Sequence, residues 1–401
     1  MENAGTKHTK IFESTKIMIG GFVMLIIAMG IGRFSYTSIL PLMQSQAHLS
    51  VTESGYLAGS NNLGYLIAAF GAGFIAWGTR RAYHLKIQLV LCIISTGLMG
   101  IASSFIWWMI LRFLTGISSG LIFVLSSSLV LDALLSDKRE KWVGIFYGGV
   151  GTGIALTGLL TPILSHFSWR GTWIGLLVIG IVLLVPVWTF IRDDKTKPIA
   201  PNTDSPTSSA ENESIFGWLL VTYGLEGLGY IVSATFLVAM VKQMPHMSSF
   251  ADYSWIIVGI AAVPSTVLWS WWTSKAGYIK PLITAFILQA FGVIMPVWLP
   301  NIIGVTLGSI LFGGTFMGIS MLAIAAARMA RPSSGNRAIA LMTGIYGIGQ
   351  ILGPIGAGIV LEVAHSYSLS LILATLVLVM AVTLLITGAV NSNKRGLLRN
   401  Y

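Results

Sequence analysis

The sequence predicts an all-helical integral membrane protein in which twelve membrane-crossing helices form two six-helix halves. Three observations carry that reading. Apolar residues make up 55% of the 401-residue chain and charged residues 9%, against roughly 45–50% and 25% in soluble proteins, too few charges to cover a water-facing surface of this size. The chain contains twelve apolar runs, each near the ~20 residues that cross a ~30 Å hydrocarbon core as a helix. Its basic residues punctuate those runs almost entirely on one side.

The runs cover residues 16–43, 53–77, 85–105, 107–132, 142–164, 172–191, 215–241, 254–273, 281–299, 302–327, 338–362 and 368–390. The first is far longer than the apolar core of a signal peptide and no small-residue cleavage site follows it, so it reads as a retained span. Ser103–Trp107 and Pro300–Asn301 are short links and predict tight hairpins between their flanking spans. Gly and Pro recur inside the runs, as membrane helices tolerate.

With the N-terminus placed in the cytoplasm, the inner segments hold Lys7, Lys10, Lys16, Arg80, Arg81, Lys86, Lys138, Arg139, Lys141 and eleven further Lys and Arg. The outer loops hold only Arg170 and Lys242, and Arg33 and Arg112 lie inside spans. A wrong span count would scramble this asymmetry, so it supports the count, the orientation, and cytoplasmic N- and C-termini in the cell membrane. The net charge of +10 is therefore loop charge facing the lipid surface, with no basic patch that calls for nucleic acid. The single cysteine, Cys92, excludes an intramolecular disulfide framework and a multi-cysteine metal site.

Residues 192–214 are the one long polar segment, rich in Pro, Ser, Thr, Asn and acids. They read as a disordered cytoplasmic linker between an N-terminal half, 1–191, and a C-terminal half, 215–401. The halves echo each other: Gly30-Ile31-Gly32 with Leu40 and Met43 recurs as Gly227-Leu228-Gly229 with Leu237 and Met240, and Tyr147-Gly148 as Tyr346-Gly347. Paired six-helix repeats are a recurring plan of transporters.

Local strings carry a family resemblance. Arg112-Phe-Leu-Thr-Gly116 in the fourth span resembles the Arg-x-x-x-Gly motif of the major facilitator superfamily (MFS), and Trp169-Arg170 the step entering its sixth span. Gly30–Met43, Gly55–Tyr65, Tyr147–Gly158 and Gly229–Leu237 are similar to the uncharacterised YbfB/YjiJ-like branch. The resemblance covers essentially the whole chain. It implies an MFS-type 6+6 fold, secondary transport, and a coupling role for Arg112. Two departures stand out. Trp77 replaces the acid of the family's loop between spans 2 and 3, which puts its charge latch in doubt. The Gly-Pro pattern of many antiporters is absent from Tyr147–Gly158, while Gly353-Pro354 lies in the eleventh span.

An ionisable group at membrane depth is costly and is by default a functional hypothesis. Arg33 lies near mid-depth, with Tyr36 and Thr37 following on the same helix face; its guanidinium suits bidentate binding of a carboxylate or phosphate, and packing glue is the bland alternative. Glu226 is the only acid well inside a span. It could exchange a proton, or serve as a permanent ion-pair partner of Arg33 or Arg112. Arg112, a few residues into its span, could snorkel to the outer surface. Asp132 and Glu362, at span ends, read as interfacial.

Asn61, Asn62 and Tyr65 in span 2, Tyr223 and Tyr230 in span 7, and Gln350 in span 11 complete a plausible substrate cavity, although such amides more often join helices. Trp269, Trp271 and Trp272 read as an interfacial belt. His48, His166, His246 and His365 fall in separate outer loops, where a metal site has no ligand spacing to support it.

The expected function is alternating-access transport of a small organic solute. Glu226, Arg112 and Arg33 would couple it to a proton gradient, and no cofactor or metal is called for. Arg33 favours an organic anion, whereas the lone Glu226 favours efflux of cationic or amphipathic drug-like compounds. A non-transporting MFS-like sensor is a third reading. No ATP-binding loop is present and all six histidines lie in loops or tails, which argues against an ATP-driven pump and against an enzyme. The partners expected are the solute and the bilayer, with no obligate protein partner.

Overall fold

The computed structural model describes residues 2–72, 75, 80–137, 139, 142–191, 213–331 and 335–394. Most of the expected linker 192–214, and Trp77 with its loop neighbours, lie outside the described residues.

The first span has three parts: α1 (Glu2–Leu25), a π-helical stretch Ile26–Phe34, and α2 (Ser35–Gln46). Eleven further helices follow, one for each remaining apolar run: α3 (Val51–Ala72), α4 (Arg81–Leu98), α5 (Phe105–Ser136), α6 (Val143–Leu164), α7 (Ser168–Phe190), α8 (Glu213–Gln243), α9 (Ala251–Ala276), α10 (Ile279–Trp298), α11 (Ile302–Ala330), α12 (Gly335–Ala364) and α13 (Tyr367–Lys394). Among the described residues, nine stretches are long and apolar enough to cross a membrane, and one of them, Val143–Phe190, contains both α6 and α7. The two helices not counted there are α3, diluted by Ser, Asn and Gly, and α4, which opens on Arg81, His84 and Lys86.

The α4 boundary differs from the apolar run 85–105. The helix starts four residues earlier and stops at Leu98, because Arg170 reaches across from α7 and donates to the carbonyls of Gly100 and Ile101, both at 3.3 Å. That contact holds the turn into α5, whose first turn is capped by Ser104 Oγ accepting from the Trp107 amide at 3.4 Å. Asn301 caps α11 in the same way, accepting from the Gly304 amide at 3.1 Å.

The helices pack as a bundle in which α3 lies between α5 and α12, α6 runs along α9, and α8 lies against α12 and α13. Two close approaches require glycine. A Cβ on Gly30 would lie 2.5 Å from the Cα of Gly153, so the π-helical stretch meets α6 backbone to backbone. A Cβ on Gly151 would lie 2.6 Å from the Gly259 carbonyl oxygen, at the α6–α9 contact. Without a hydrophobic drive between helices in lipid, such small-residue contacts are what bring them together.

At the end away from the basic loops, side chains stitch the helices. Gln44 donates to Ser54 Oγ at 3.2 Å and accepts from the Tyr367 hydroxyl at 3.3 Å, and Thr52 donates to the Gly358 carbonyl at 3.3 Å. His48, His246 and His365 there adopt φ of 53°, 60° and 50° within three residues of the ends of α2, α8 and α12. These are left-handed helix-ending positions, which residues other than glycine occupy infrequently.

Candidate functional site

The site begins with a break in regular helix geometry. Over Ile26–Phe34 the first span is wound as a π-helix, its end marked by the Ser35 amide bonding back to the Gly30 carbonyl. Stretches of this kind displace carbonyls from the regular ladder and recur at functional sites. Two carbonyls at the end of this stretch have a side-chain partner: Arg112 of α5 donates to Gly32 O at 3.0 Å and to Arg33 O at 3.4 Å. Arg112 is 3% exposed, with its guanidinium 4.7 Å from the Tyr36 ring centroid. It therefore does not snorkel to the surface, because α5 turns this face toward the first span.

Arg33 is 5% exposed. Its Nη2 donates to Asn62 Oδ1 at 3.0 Å, and its guanidinium lies over the Tyr65 ring, 4.1 Å from the centroid. Asn62 in turn donates to the Gln350 carbonyl at 2.8 Å, and the Gln350 amide donates to the Tyr230 hydroxyl. A hydrogen-bonded line thus runs from the first span through α3 and α12 to α8. Asn61 donates to the Arg112 carbonyl at 3.0 Å, Tyr36 to the Ser54 carbonyl at 3.0 Å, and Thr37 to the Ala234 carbonyl.

These groups enclose a small cavity. Its wall contains Arg33, Tyr36, Asn61, Asn62 and Arg112 from the sequence-derived set, together with Phe34, Thr37, Ala58, Ile231, Ala234 and Thr235. Both guanidiniums keep one buried atom, Nε, without a hydrogen-bond partner, and the wall carries no acid. Tyr65, Tyr223, Tyr230, Gln350 and Glu226 are not on this wall.

Glu226 is fully buried and neither carboxyl oxygen has a hydrogen-bond partner. Its polar neighbours are the side chains of Gln289 on α10 and Tyr346 on α12, and Gln289 is itself fully buried with both amide atoms unpartnered. An ion pair between Glu226 and Arg33 or Arg112 is not made. Glu226, Tyr230 and Ala234 recur every four residues on one face of α8, so the acid lies about 7.5 Å along the helix from the first wall residue, Ile231, and about 12 Å from Ala234. Rings flank the acid on both sides along α8: Tyr223 stacks on Tyr346 at 4.2 Å and Tyr230 lies parallel to Tyr346 at 5.7 Å.

At the basic-loop end, Arg81 Nη1 pairs with Asp132 Oδ2 at 3.0 Å and donates to Ser128 Oγ at 2.6 Å, joining α4 to α5. Of the three belt tryptophans, only Trp271 is well exposed. Trp269 is 8% exposed, donates to the Gly314 carbonyl at 2.7 Å and stacks with Trp272, so it packs inward against α11. Glu362 is exposed.

The sequence marks Thr37 only as a neighbour of Arg33 on one helix face, and it gives Gln289, Tyr346 and Thr235 no place in the site. Gln289 is an amide in the middle of an apolar run and carried the same signal as Asn61. Tyr346 had been noted only as half of a repeat, and the two threonines are unremarkable until the helices are assembled.

Residues 25–386 match the family described as "Uncharacterised MFS-type transporter YbfB". The chain is 26% identical over 273 residues to the "Uncharacterized MFS-type transporter YceJ" of Bacillus subtilis (strain 168), covering 67% of this chain and 70% of that one. It is 24% identical over 174 residues to the "Hexuronate transporter" of the same organism, covering 43% and 41%. The fold is shared with the crystal structure of the nucleoside transporter NupG (D323A mutant), with a TM-score of 0.74, 12% identity, and 94% of this chain and 99% of that chain covered.

Proposed function

The chain belongs to the YbfB-type family of MFS transporters, and we propose that it moves a small organic anion across the cytoplasmic membrane by alternating access, coupled to protons. One observation carries the choice of an anion: two buried guanidiniums, Arg33 and Arg112, line a cavity whose wall has no acid. An uncompensated buried charge is costly, several kcal/mol even after relaxation. A carboxylate or phosphate entering the cavity would supply the missing charge and meet the free Nε atoms. The likeness to a relative named for hexuronate, a sugar carboxylate, supports the same reading. Glu226, unpaired and two turns along α8, is the group suited to carry the proton.

A second reading rests on a different observation. Glu226 lies among Tyr223, Tyr230 and Tyr346, an arrangement that would suit export of an amphipathic cation.

The two readings separate in proteoliposomes. Under an imposed pH gradient, labelled organic acids should show saturable uptake that Arg33→Ala abolishes. Flux of lipophilic cations alone, lost in Glu226→Gln and untouched by Arg33→Ala, would replace the anion reading with the second.

A further inference from the structure

We infer that the anion carried at this site is aromatic, with its carboxylate on the arginines and its ring against the stacked rings of α8, α11 and α12. The inference rests on the anion reading above and adds the chemistry of the rest of the ligand.

Five buried or half-buried rings, Tyr223, Tyr346, Tyr230, Phe316 and Phe312, share one orientation. Successive interplanar angles are 9°, 10°, 7° and 13°. Elsewhere in the bundle some pairs meet edge to face, as Trp108 and Trp169 do at 88° and Phe34 and Trp255 at 61°, and the other stacked pairs, Trp269 with Trp272 and Phe250 with Tyr253, extend to two rings only. Both arrangements are favourable for aromatic pairs, so packing alone does not impose one direction on five rings from three helices. Tyr230 and Phe316 lie 6.2 Å apart at 7°, the spacing of offset-parallel rings.

The ladder adjoins the cavity. Phe34 is on the cavity wall and meets Phe316 edge-on at 6.2 Å and 78°. Tyr230 directly precedes Ile231, another wall residue, and is one turn of α8, about 6 Å, from Ala234. A carboxylate against Arg33 and Arg112 therefore places a ring bonded to it at the level of Tyr230. The Tyr230 hydroxyl is already engaged by Gln350 and its ring is buried behind the wall, so a ligand would meet that ring only as the cavity widens toward it. Beyond the ring stands Glu226, which disfavours a second negative charge at the far end of the molecule.

The test compares benzoate with cyclohexanecarboxylate, which match in charge and closely in size but differ in having a flat π-face. Binding to the purified full-length protein in detergent would be read by titration calorimetry and thermal shift. Benzoate should bind about tenfold more tightly. Phe316→Leu should reduce that preference, taken as the ratio of the two affinities in the variant itself, to within about twofold. Equal affinity of the two acids for the wild-type protein would overturn the aromatic inference and leave the anion reading standing. Binding of neither acid would overturn both. If Phe316→Leu fails to fold, the wild-type comparison still decides.

Discussion

Arg33 and Asn62 are joined by a 3.0 Å hydrogen bond from Nη2 to Oδ1, and the other end of the same amide donates to the Gln350 carbonyl at 2.8 Å. One short side chain on α3 thus orients the cavity's guanidinium and ties the first span to α12. Because the carbonyl end of Asn62 faces Arg33, the guanidinium is held by a neutral acceptor and keeps its full charge for a ligand. A carboxylate in the same place would have neutralised it.

That relationship makes Asn62→Asp informative. The substitution is nearly isosteric and supplies Arg33 with a counter-ion, but costs the bond to Gln350, so folding should survive with a modest change in melting temperature. Affinity for organic anions should fall at least tenfold, since the ligand would then compete with a resident carboxylate. Calorimetric titration of Asn62→Asp checks this, and undiminished anion affinity would remove Arg33 from the binding role.

Glu226 makes a second case. A fully buried carboxyl that makes no well-formed hydrogen bond to its neighbours Gln289 and Tyr346 contributes little to the fold, so Glu226→Gln should leave the melting temperature unchanged or raise it. Transport should respond differently. With no proton to exchange, uptake driven by a pH gradient should be lost and its rate should become independent of pH, while exchange of labelled for unlabelled substrate continues. Uptake that keeps the wild-type pH profile in this variant would place the coupling group elsewhere.

The ion pair of Arg81 with Asp132 invites over-weighting. The Asp132 side chain is 67% exposed, and pairs open to solvent contribute roughly 0–1 kcal/mol. Asp132→Asn should therefore shift stability by less than about 1 kcal/mol, as read by thermal unfolding in detergent. A larger loss would mean that the pair is shielded by chain beyond the described residues.

How much of this could be read in advance depends on the kind of signal. Twelve spans were legible because crossing a bilayer sets both length and composition, and Arg33 and Glu226 because charge inside an apolar run is conspicuous. Arg112 was misjudged as snorkelling, since distance from a span end says nothing about which way a helix face turns. The absent ion pair between Glu226 and either arginine was equally unreadable: it depends on the register of α8 against the first span and α5. The π-helical winding of Ile26–Phe34 leaves no mark in a run of Ile, Ala, Met and Gly, and the Arg112 contacts to Gly32 and Arg33 that accompany it form only once α5 is in place. Gln289 and Tyr346 carried ordinary polar signals, and only the assembled helices show that they face the same acid.

Gly30 gives the last prediction. A Cβ there would meet three backbone atoms of Gly153, at 2.5, 2.7 and 2.8 Å, and backbone cannot rotate aside as a flexible side chain can. Gly30→Ala must therefore push the π-helical stretch away from α6, at the 1–3 kcal/mol or so typical of overpacking. The displacement begins three residues before Arg33, so anion affinity should fall together with stability. Gly356→Ala is the matched control: nothing lies within 4 Å of a Cβ at that position on α12, and alanine is the better helix former by up to about 1 kcal/mol. Thermal unfolding of the two variants side by side should give a clear loss for the first and none for the second. Equal effects would mean that the α6 contact yields freely and does not set the position of Arg33.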